Sequence, residues 1–104
     1  MNKSEKKMWE IVVPVEMNGL KVDVSYHHKW DEKVRKISGG LTIMKSAIGQ
    51  WVSPTKHIHV EKVIPVKIAC SDADIEKIAR MTLTHYGQEE VLYYKISDEV
   101  HFVK

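Results

Sequence analysis

The residues with the clearest chemical potential are Trp51, His59 and Glu61, near the middle of the 104-residue chain. The surrounding pattern predicts two adjacent strands, residues 49–53 and 58–69, that bring these three side chains close together. An indole beside a carboxylate suits a ligand that is cationic or carries a purine. No segment contains a self-sufficient catalytic motif of the Walker, zinc-finger or nucleophile-elbow kind, so the three residues form a candidate binding surface.

Length and charge limit the classes of function. We assign residues 1–104 to a single α+β domain, with residues 1–7 as a disordered N-terminal tail. A chain this short leaves a large share of its surface exposed to solvent. Self-association buries more apolar area, so we expect a homo-oligomer. Its 16 basic and 14 acidic side chains give a net charge of +2, which is too balanced for a polyanion partner. We therefore expect no nucleic-acid binding.

Cysteine usage and hydropathy bear on the compartment. The only cysteine, Cys70, cannot form an internal disulfide and is most simply a small buried residue at a strand end. No window approaches the roughly 20 apolar residues of a membrane span, and the charged start precedes no apolar run of signal-peptide length. These features predict a cytoplasmic protein that does not bind a membrane.

Helical periodicity predicts two helices. The first runs from an N-cap at Ser25 to the paired glycines 39 and 40, and the second runs from an N-cap at Ser71 to Gly87. Each has one apolar stripe that we expect to face the core. The stripes comprise Trp30, Val34 and Ile37 in the first helix and Ile75, Ile78, Ala79, Thr82 and Tyr86 in the second.

Strand periodicity completes the predicted fold. Strands are expected at residues 9–17, 41–44, 49–53, 58–69, 91–96 and 100–103. In the long strand 58–69, the face of Ile58, Val60, Ile64, Val66 and Ile68 is predicted to be core, and the face of His57, His59, Glu61, Val63 and Lys67 is predicted to be open. This order predicts a ferredoxin-like (split βαβ) two-layer sandwich, a mostly antiparallel sheet with two helices on one face, which the trimeric PII-type signalling proteins share.

Each candidate residue also has a purely structural interpretation. His59 and Glu61 can lie on the solvent-exposed face of an amphipathic strand, and Trp51 can be a buried side chain that covers the edge of the sheet. His57 and His59 point the same way, but in-line positions lie about 6.6 Å apart and such patterns often mislead, so we assign no metal. Tyr26 opens the first helix, where an anion can bind, although ordinary helix surface is the simpler interpretation. The aromatic residues Trp30, Tyr86, Tyr93 and Tyr94 are expected to pack in the core.

A resemblance covers about the C-terminal half of the chain. Glu61-Lys62, the helix that contains Ile78-Ala79-Arg80, and residues 88–95 (QEEVLYYK) together resemble the phage-encoded S-adenosylmethionine lyases, formerly described as hydrolases. The shared features are a glycine and an aromatic residue, then a glutamate that opens a strand, then a helix, then a Gln-acid-x-Val strand start. The Gly-Gly-Leu-Thr and Gly-Gln-Trp segments also resemble a family of small bacterial and phage proteins with the same predicted element order.

This resemblance implies an oligomer, a trimer, with sites between subunits and with no metal or cofactor. In the family's reaction the substrate's own carboxylate attacks its γ-carbon, which expels methylthioadenosine and leaves homoserine lactone, so a held conformation matters more than a strong base. Glu61 takes the position of the family's glutamate, which orients the amino group or offsets the sulfonium charge. The family's tyrosine falls on Trp51, whose indole can face a sulfonium but has no phenol hydroxyl.

Three hypotheses from different classes follow. The first is a small-molecule-binding protein that holds an adenine-nucleotide-like ligand at a subunit interface, as a phage counter-defence factor that sequesters a host nucleotide signal. The second is the lyase itself, with Glu61 as the catalytic residue, and the third is a structural or protein-interaction module. For the first two, the expected ligand-binding residues are Trp51, His59, Glu61, Gln88 and Tyr26.

Overall fold

The structure is a computed structural model that describes residues 5–104. Two helices and seven strands follow one another along this part of the chain. The elements are β1 (Lys7–Pro14), β2 (Glu16–Met17), β3 (Leu20–Lys21), α1 (Val24–Ser38), β4 (Thr42–Ile43), β5 (Ala47–Val52), β6 (Ile58–Cys70), α2 (Asp72–Tyr86) and β7 (Tyr93–Ser97).

The strands form one antiparallel sheet and one short hairpin. The main sheet has the order β4-β6-β1-β7, with β5 also paired to β6, and β2 pairs only with β3. The central pair, β1 and β6, is in register from Lys7 opposite Cys70 to Pro14 opposite Val63. Both helices pack on one face of this sheet, so the predicted ferredoxin-like α+β sandwich is confirmed.

The two helices end as predicted, but only α2 begins as predicted. Ser71 is the N-cap of α2, and its hydroxyl accepts a 3.1 Å hydrogen bond from the backbone N–H of Asp74. The N-cap of α1 is Asp23 rather than Ser25, because the carbonyl of Asp23 already accepts hydrogen bonds from the N–H groups of residues 26 and 27. Gly39 ends α1 with φ 89°, a left-handed conformation that suits glycine.

The core lies between the helices and the central strands. The predicted stripes face the core: Trp30 and Val34 of α1 are buried against the apolar face of α2 and the inner faces of β1 and β6, and Ile37 is partly buried beside them. The indole N–H of Trp30 donates a 2.9 Å hydrogen bond to the hydroxyl of Thr82, which in turn donates to the carbonyl of Ile78. These bonds satisfy the Trp30 indole N–H and the Thr82 hydroxyl where the two helices pack together.

Strand β6 is buried along only half of its length. Val66 and Ile68 are each 1 % exposed, whereas Ile58 is 71 % and Val60 is 64 % exposed. A 13-residue strand extends about 43 Å, whereas each 15-residue helix is about 22 Å long, so the helices cannot cover all of β6. The prediction that Ile58 and Val60 lie in the protomer's core is therefore wrong.

Residues 58–63 of β6 pair with β5 and extend beyond the two-layer body; we call this two-stranded unit the β5–β6 ribbon. It contributes to an elongated shape of 51 × 31 × 22 Å. The ribbon carries Trp51, His59 and Glu61, so the candidate surface lies on the part of the sheet that the helices leave uncovered.

Several predicted boundaries shift. Lys7 lies in β1 rather than in a tail, and residues 1–4 of the predicted tail lie outside the described residues. Residues 100–103 are not a strand, and Tyr93 and Tyr94 on β7 are partly exposed rather than packed in the core. The reason is that β7 is the last strand at this edge of the sheet, with no further strand or helix over it in the described part of the chain.

Candidate functional site

The β5–β6 ribbon brings Trp51 and His59 into contact. The two residues lie directly opposite each other in the antiparallel register, so their side chains share one face. Their rings stack with centroids 5.5 Å apart and an interplanar angle of 15°. Glu61 is opposite Gly49 and lies two residues beyond His59, on the same face.

A tight turn fixes the end of the ribbon. The backbone N–H of Ser53 donates to the carbonyl of His57 at 2.9 Å, and Lys56 adopts a left-handed φ of 65° to complete the turn. The hydroxyls of Ser53 and Thr55 are 2.9 Å apart, and the Thr55 hydroxyl is 2.9 Å from the Nδ1 atom of His57. The imidazole of His57 is therefore held in the turn.

The Trp51 indole is an exposed aromatic surface, which we call the Trp51 platform. It is 48 % exposed, with His59 against the indole, so the alternative of a buried edge cover is wrong for the single chain. Aromatic faces of this kind bind nucleobases and other flat rings, and each stacked base contributes about 1–3 kcal/mol. A single chain leaves this platform open to solvent, whereas small-molecule sites are usually concave.

The Glu61 carboxylate is available to a ligand. Glu61 is half-buried beside the platform, and within the described residues its side chain forms no hydrogen bond or ion pair. A carboxylate in this position can accept a hydrogen bond from an amino group or balance a nearby positive charge. Trp51 and Glu61 together can therefore hold a flat ring and a cationic or amino group.

Gln88 follows the glycine that ends α2. Its backbone N–H donates a 2.9 Å hydrogen bond to the carbonyl of Leu83, which closes the helix. Its side-chain Oε1 atom is buried and has no hydrogen-bond partner among the described residues. A buried acceptor without a donor is unfavourable, and a ligand donor is one way to satisfy it.

Tyr26 belongs to a different cluster, between the two helices. Its hydroxyl donates to the backbone carbonyl of His85, and its ring stacks on the His85 imidazole with centroids 4.2 Å apart. Its aromatic contacts are thus with α2 rather than with Trp51 or His59. The described residues also contain no group of three or more His, Cys, Asp or Glu side chains arranged to hold a metal ion.

Comparison with known proteins supports the fold. No protein-family model matches the sequence, and no curated protein matches it. The structure is similar to that of CutA1 from the psychrotrophic bacterium Shewanella sp. SIB1, with a TM-score of 0.70, 14% identity, and coverage of 97% of this chain and 88% of that chain. It is also similar to the periplasmic divalent cation tolerance protein CutA from Archaeoglobus fulgidus, with a TM-score of 0.68, 7% identity, and coverage of 93% and 87%.

A phage S-adenosylmethionine lyase in complex with S-methyl-5'-thioadenosine is similar as well. The TM-score is 0.65 at 13% identity, and the match covers 93% of both chains. The chain has the fold of these proteins. The resemblance to the lyases is therefore supported at the level of the fold, whereas the similarity to the CutA1 proteins was not predicted.

Within the described residues, neither helix is long and apolar enough to span a membrane.

A partly buried polar cluster where α1 meets α2 was not predicted from the sequence. The Nδ1 atom of His27 is 2.7 Å from the hydroxyl of Tyr86, and the Nδ1 atom of His85 is 3.3 Å from the ammonium of Lys33. Burial is the main cause that lowers the pKa of both histidines, although the hydrogen bond from His85 to the Tyr26 carbonyl opposes it. The available signal was the position of His85 three residues after Thr82, on the buried stripe of α2.

This cluster predicts a loss of stability in mild acid. In the unfolded chain both histidines titrate near pH 6.5, but in the folded protein their pKa values are lower. Between these values the unfolded chain binds more protons, so the free energy of unfolding falls as the pH decreases below about 6.5 and gains nothing from these groups above it. We expect the Tm to fall by several degrees between pH 7.5 and pH 5, measured by scanning calorimetry.

The matched comparison is a variant with His27→Gln and His85→Gln. Its Tm should change less than that of the natural protein over the same range, because glutamine does not titrate. An equal fall in both proteins would show that other groups cause the pH dependence.

Proposed function

We propose that this protein is a homo-oligomer, a trimer, that holds an adenosine-type small molecule between subunits. The observation that carries the proposal is the exposed stack of Trp51 on His59 beside the Glu61 carboxylate. The purine ring lies against the indole, and Glu61 faces the amino or sulfonium group of the ligand. The likeness to a lyase whose structure holds S-methyl-5'-thioadenosine supports this class of ligand.

The second face of the β5–β6 ribbon supports the oligomer. It carries four exposed apolar side chains that the helices do not cover, namely Ile48, Val52, Ile58 and Val60. In a single chain this patch lies in water, which disfavours the monomer, because burying each such side chain contributes about 1.5–3 kcal/mol. Packing the patch against another subunit removes it from water and leaves Trp51, on the opposite face of the ribbon, available to a ligand.

A second candidate function is S-adenosylmethionine lyase activity. It is favoured by the similarity to the phage enzyme over 93% of both chains and by the unpartnered Glu61 carboxylate. In this function Glu61 is the catalytic residue that orients the substrate's amino group, while the substrate's carboxylate displaces methylthioadenosine. Trp51 replaces the family's tyrosine, so we expect binding to be retained more than turnover.

If the protein binds its ligand without converting it, it can act as a phage counter-defence factor that sequesters a host nucleotide signal, and this is the role we propose.

Gln88 is a second proposed ligand contact because its buried Oε1 atom has no donor among the described residues. We also propose the cytoplasm as the compartment, since the buried thiol of Cys70 is free.

The test is a calorimetric titration with S-methyl-5'-thioadenosine, together with incubation with S-adenosylmethionine followed by liquid chromatography and mass detection. We expect saturable binding with one ligand for each chain in an oligomer. Appearance of methylthioadenosine from S-adenosylmethionine supports the lyase, and retention of intact S-adenosylmethionine supports sequestration. Neither binding nor turnover with either compound contradicts both functions and favours the third hypothesis, a structural or interaction module.

A further inference from the structure

A cleft lies on the helical side of the molecule, between α1 and the strands β1, β4 and β6. Its volume is about 140 Å³. The walls are mainly apolar and include Val24, Ile43 and Ile64. Ile43 and Val24 are exposed at its rim, so the cleft opens to solvent. It is separate from the Trp51 platform, and it does not depend on the function proposed above.

Asp31 lines this cleft and is only 8 % exposed. Within the described residues its carboxylate forms no hydrogen bond and no ion pair. Arg35, one turn further along α1, is exposed and does not pair with it. Among the described residues the only fully enclosed side-chain polar atom without a partner is Oε1 of Gln88, so the unpaired Asp31 carboxylate keeps contact with the open cleft. A carboxylate in that position is available to pair with a cation that enters the cleft.

The neighbouring His27 does not supply that cation. Its Nδ1 atom is 2.7 Å from the Tyr86 hydroxyl, and both residues line the same cleft. Burial holds the pKa of His27 below its usual value of 6.5, in spite of the opposing effect of Asp31, so the imidazole is neutral near pH 7. The cleft therefore presents the Asp31 carboxylate, the bonded pair of His27 and Tyr86, and the His28 side chain among mainly apolar walls.

We propose that this cleft binds a small organic cation, an ammonium group on an apolar body, with Asp31 as its counter-ion. A cavity of about 150 Å³ accommodates benzene, so the ligand has roughly six to eight non-hydrogen atoms. An adenosine compound is too large for this space. A hydrated divalent ion is disfavoured because it prefers six or more oxygen ligands, and the cleft offers one carboxylate among apolar side chains.

The test compares two probes of the same shape on the full chain labelled with ¹⁵N. Benzylammonium should bind and shift the backbone amide signals of residues at the cleft, such as Asp31 and Ile43. Benzyl alcohol, which has no charge, should bind at least about tenfold more weakly, because it cannot pair with the carboxylate. Equal affinity for the two probes, or shifts with Mg²⁺ or Zn²⁺ but not with benzylammonium, would overturn the proposal.

Two variants on α1 sharpen the test. Asp31→Asn keeps the shape of the side chain, and it should weaken benzylammonium binding by about tenfold or more because the charge that pairs with the ammonium is removed, with the Tm as the check on folding. Glu32→Gln is the matched control: it removes one charge from the same helix, but Glu32 is exposed and pairs with Lys36 at 3.3 Å. Its affinity for benzylammonium should not change. Unchanged binding in Asp31→Asn, or no binding to the natural protein at millimolar concentration, contradicts the site.

Discussion

Replacing Trp51 with alanine is expected to weaken the binding of S-methyl-5'-thioadenosine by about fivefold to 150-fold. This range follows from the loss of a stacking face that contributes about 1–3 kcal/mol for each base. The fold should remain intact, because Trp51 lies outside the buried core and contacts His59 on the ribbon. The measurement is the Kd from calorimetry, with the Tm of each variant as the check on folding.

Matched variants separate stacking from a general loss of aromatic surface. Phe102→Ala removes another exposed aromatic ring, far along the chain from the ribbon, and should leave the Kd unchanged. Glu61→Ala should weaken binding as well, whereas Trp51→Phe should retain most of it. Trp51→Tyr restores the phenol hydroxyl of the lyase family and is the variant in which turnover of S-adenosylmethionine should rise, if this chain can act as a lyase. An unchanged Kd in both Trp51→Ala and Glu61→Ala would contradict the assignment of the ligand site to these residues.

Placing a charge on the apolar face of the ribbon is expected to break the oligomer. Val60 is 64 % exposed in the single chain, so Val60→Asp should not disturb the protomer's own core. In an assembly that covers this face, the new carboxylate is buried without a partner, at a cost of several kcal/mol, on the order of a hundredfold or more in the association constant. Light scattering coupled to size exclusion should then give a mass near the 12.0 kDa of one chain.

Leu20→Asp is the control for this experiment. Leu20 is also an exposed apolar residue, in the β2–β3 hairpin away from the ribbon, and its replacement should leave the assembly unchanged. Two results contradict the proposed interface: an oligomer that survives Val60→Asp, and a natural protein that is monomeric at micromolar concentration.

Local signals in the sequence were sufficient for α2 and for the pairing of the ribbon. Ser71 and Gly87 are caps whose preferences operate within a few residues, so both ends of α2 could be read directly. Trp51 and His59 are eight residues apart around one turn, and period-two alternation places them on one face once the two strands pair.

The remaining features depend on contacts that are distant in sequence. Alternation identified the two faces of β6 but could not show how far the helices extend along it, so Ile58 was assigned to the core. The bond between His27 and Tyr86 joins residues 59 positions apart, and no local pattern specifies it. The likeness to CutA1 was also hidden, because at 14% identity the shared property is the packing of elements rather than a motif.

The central claim, that Trp51 forms the ligand platform, can be tested by observing the indole N–H signals of the three tryptophans during a titration with S-methyl-5'-thioadenosine. Trp30 donates its indole N–H to Thr82 and Trp9 donates to the carbonyl of Cys70, so each is fixed within the protomer. We predict that the Trp51 signal shifts and saturates at the calorimetric Kd, while the other two stay in place. A Trp51 signal that does not move while the ligand binds, or the absence of any binding, would contradict the account.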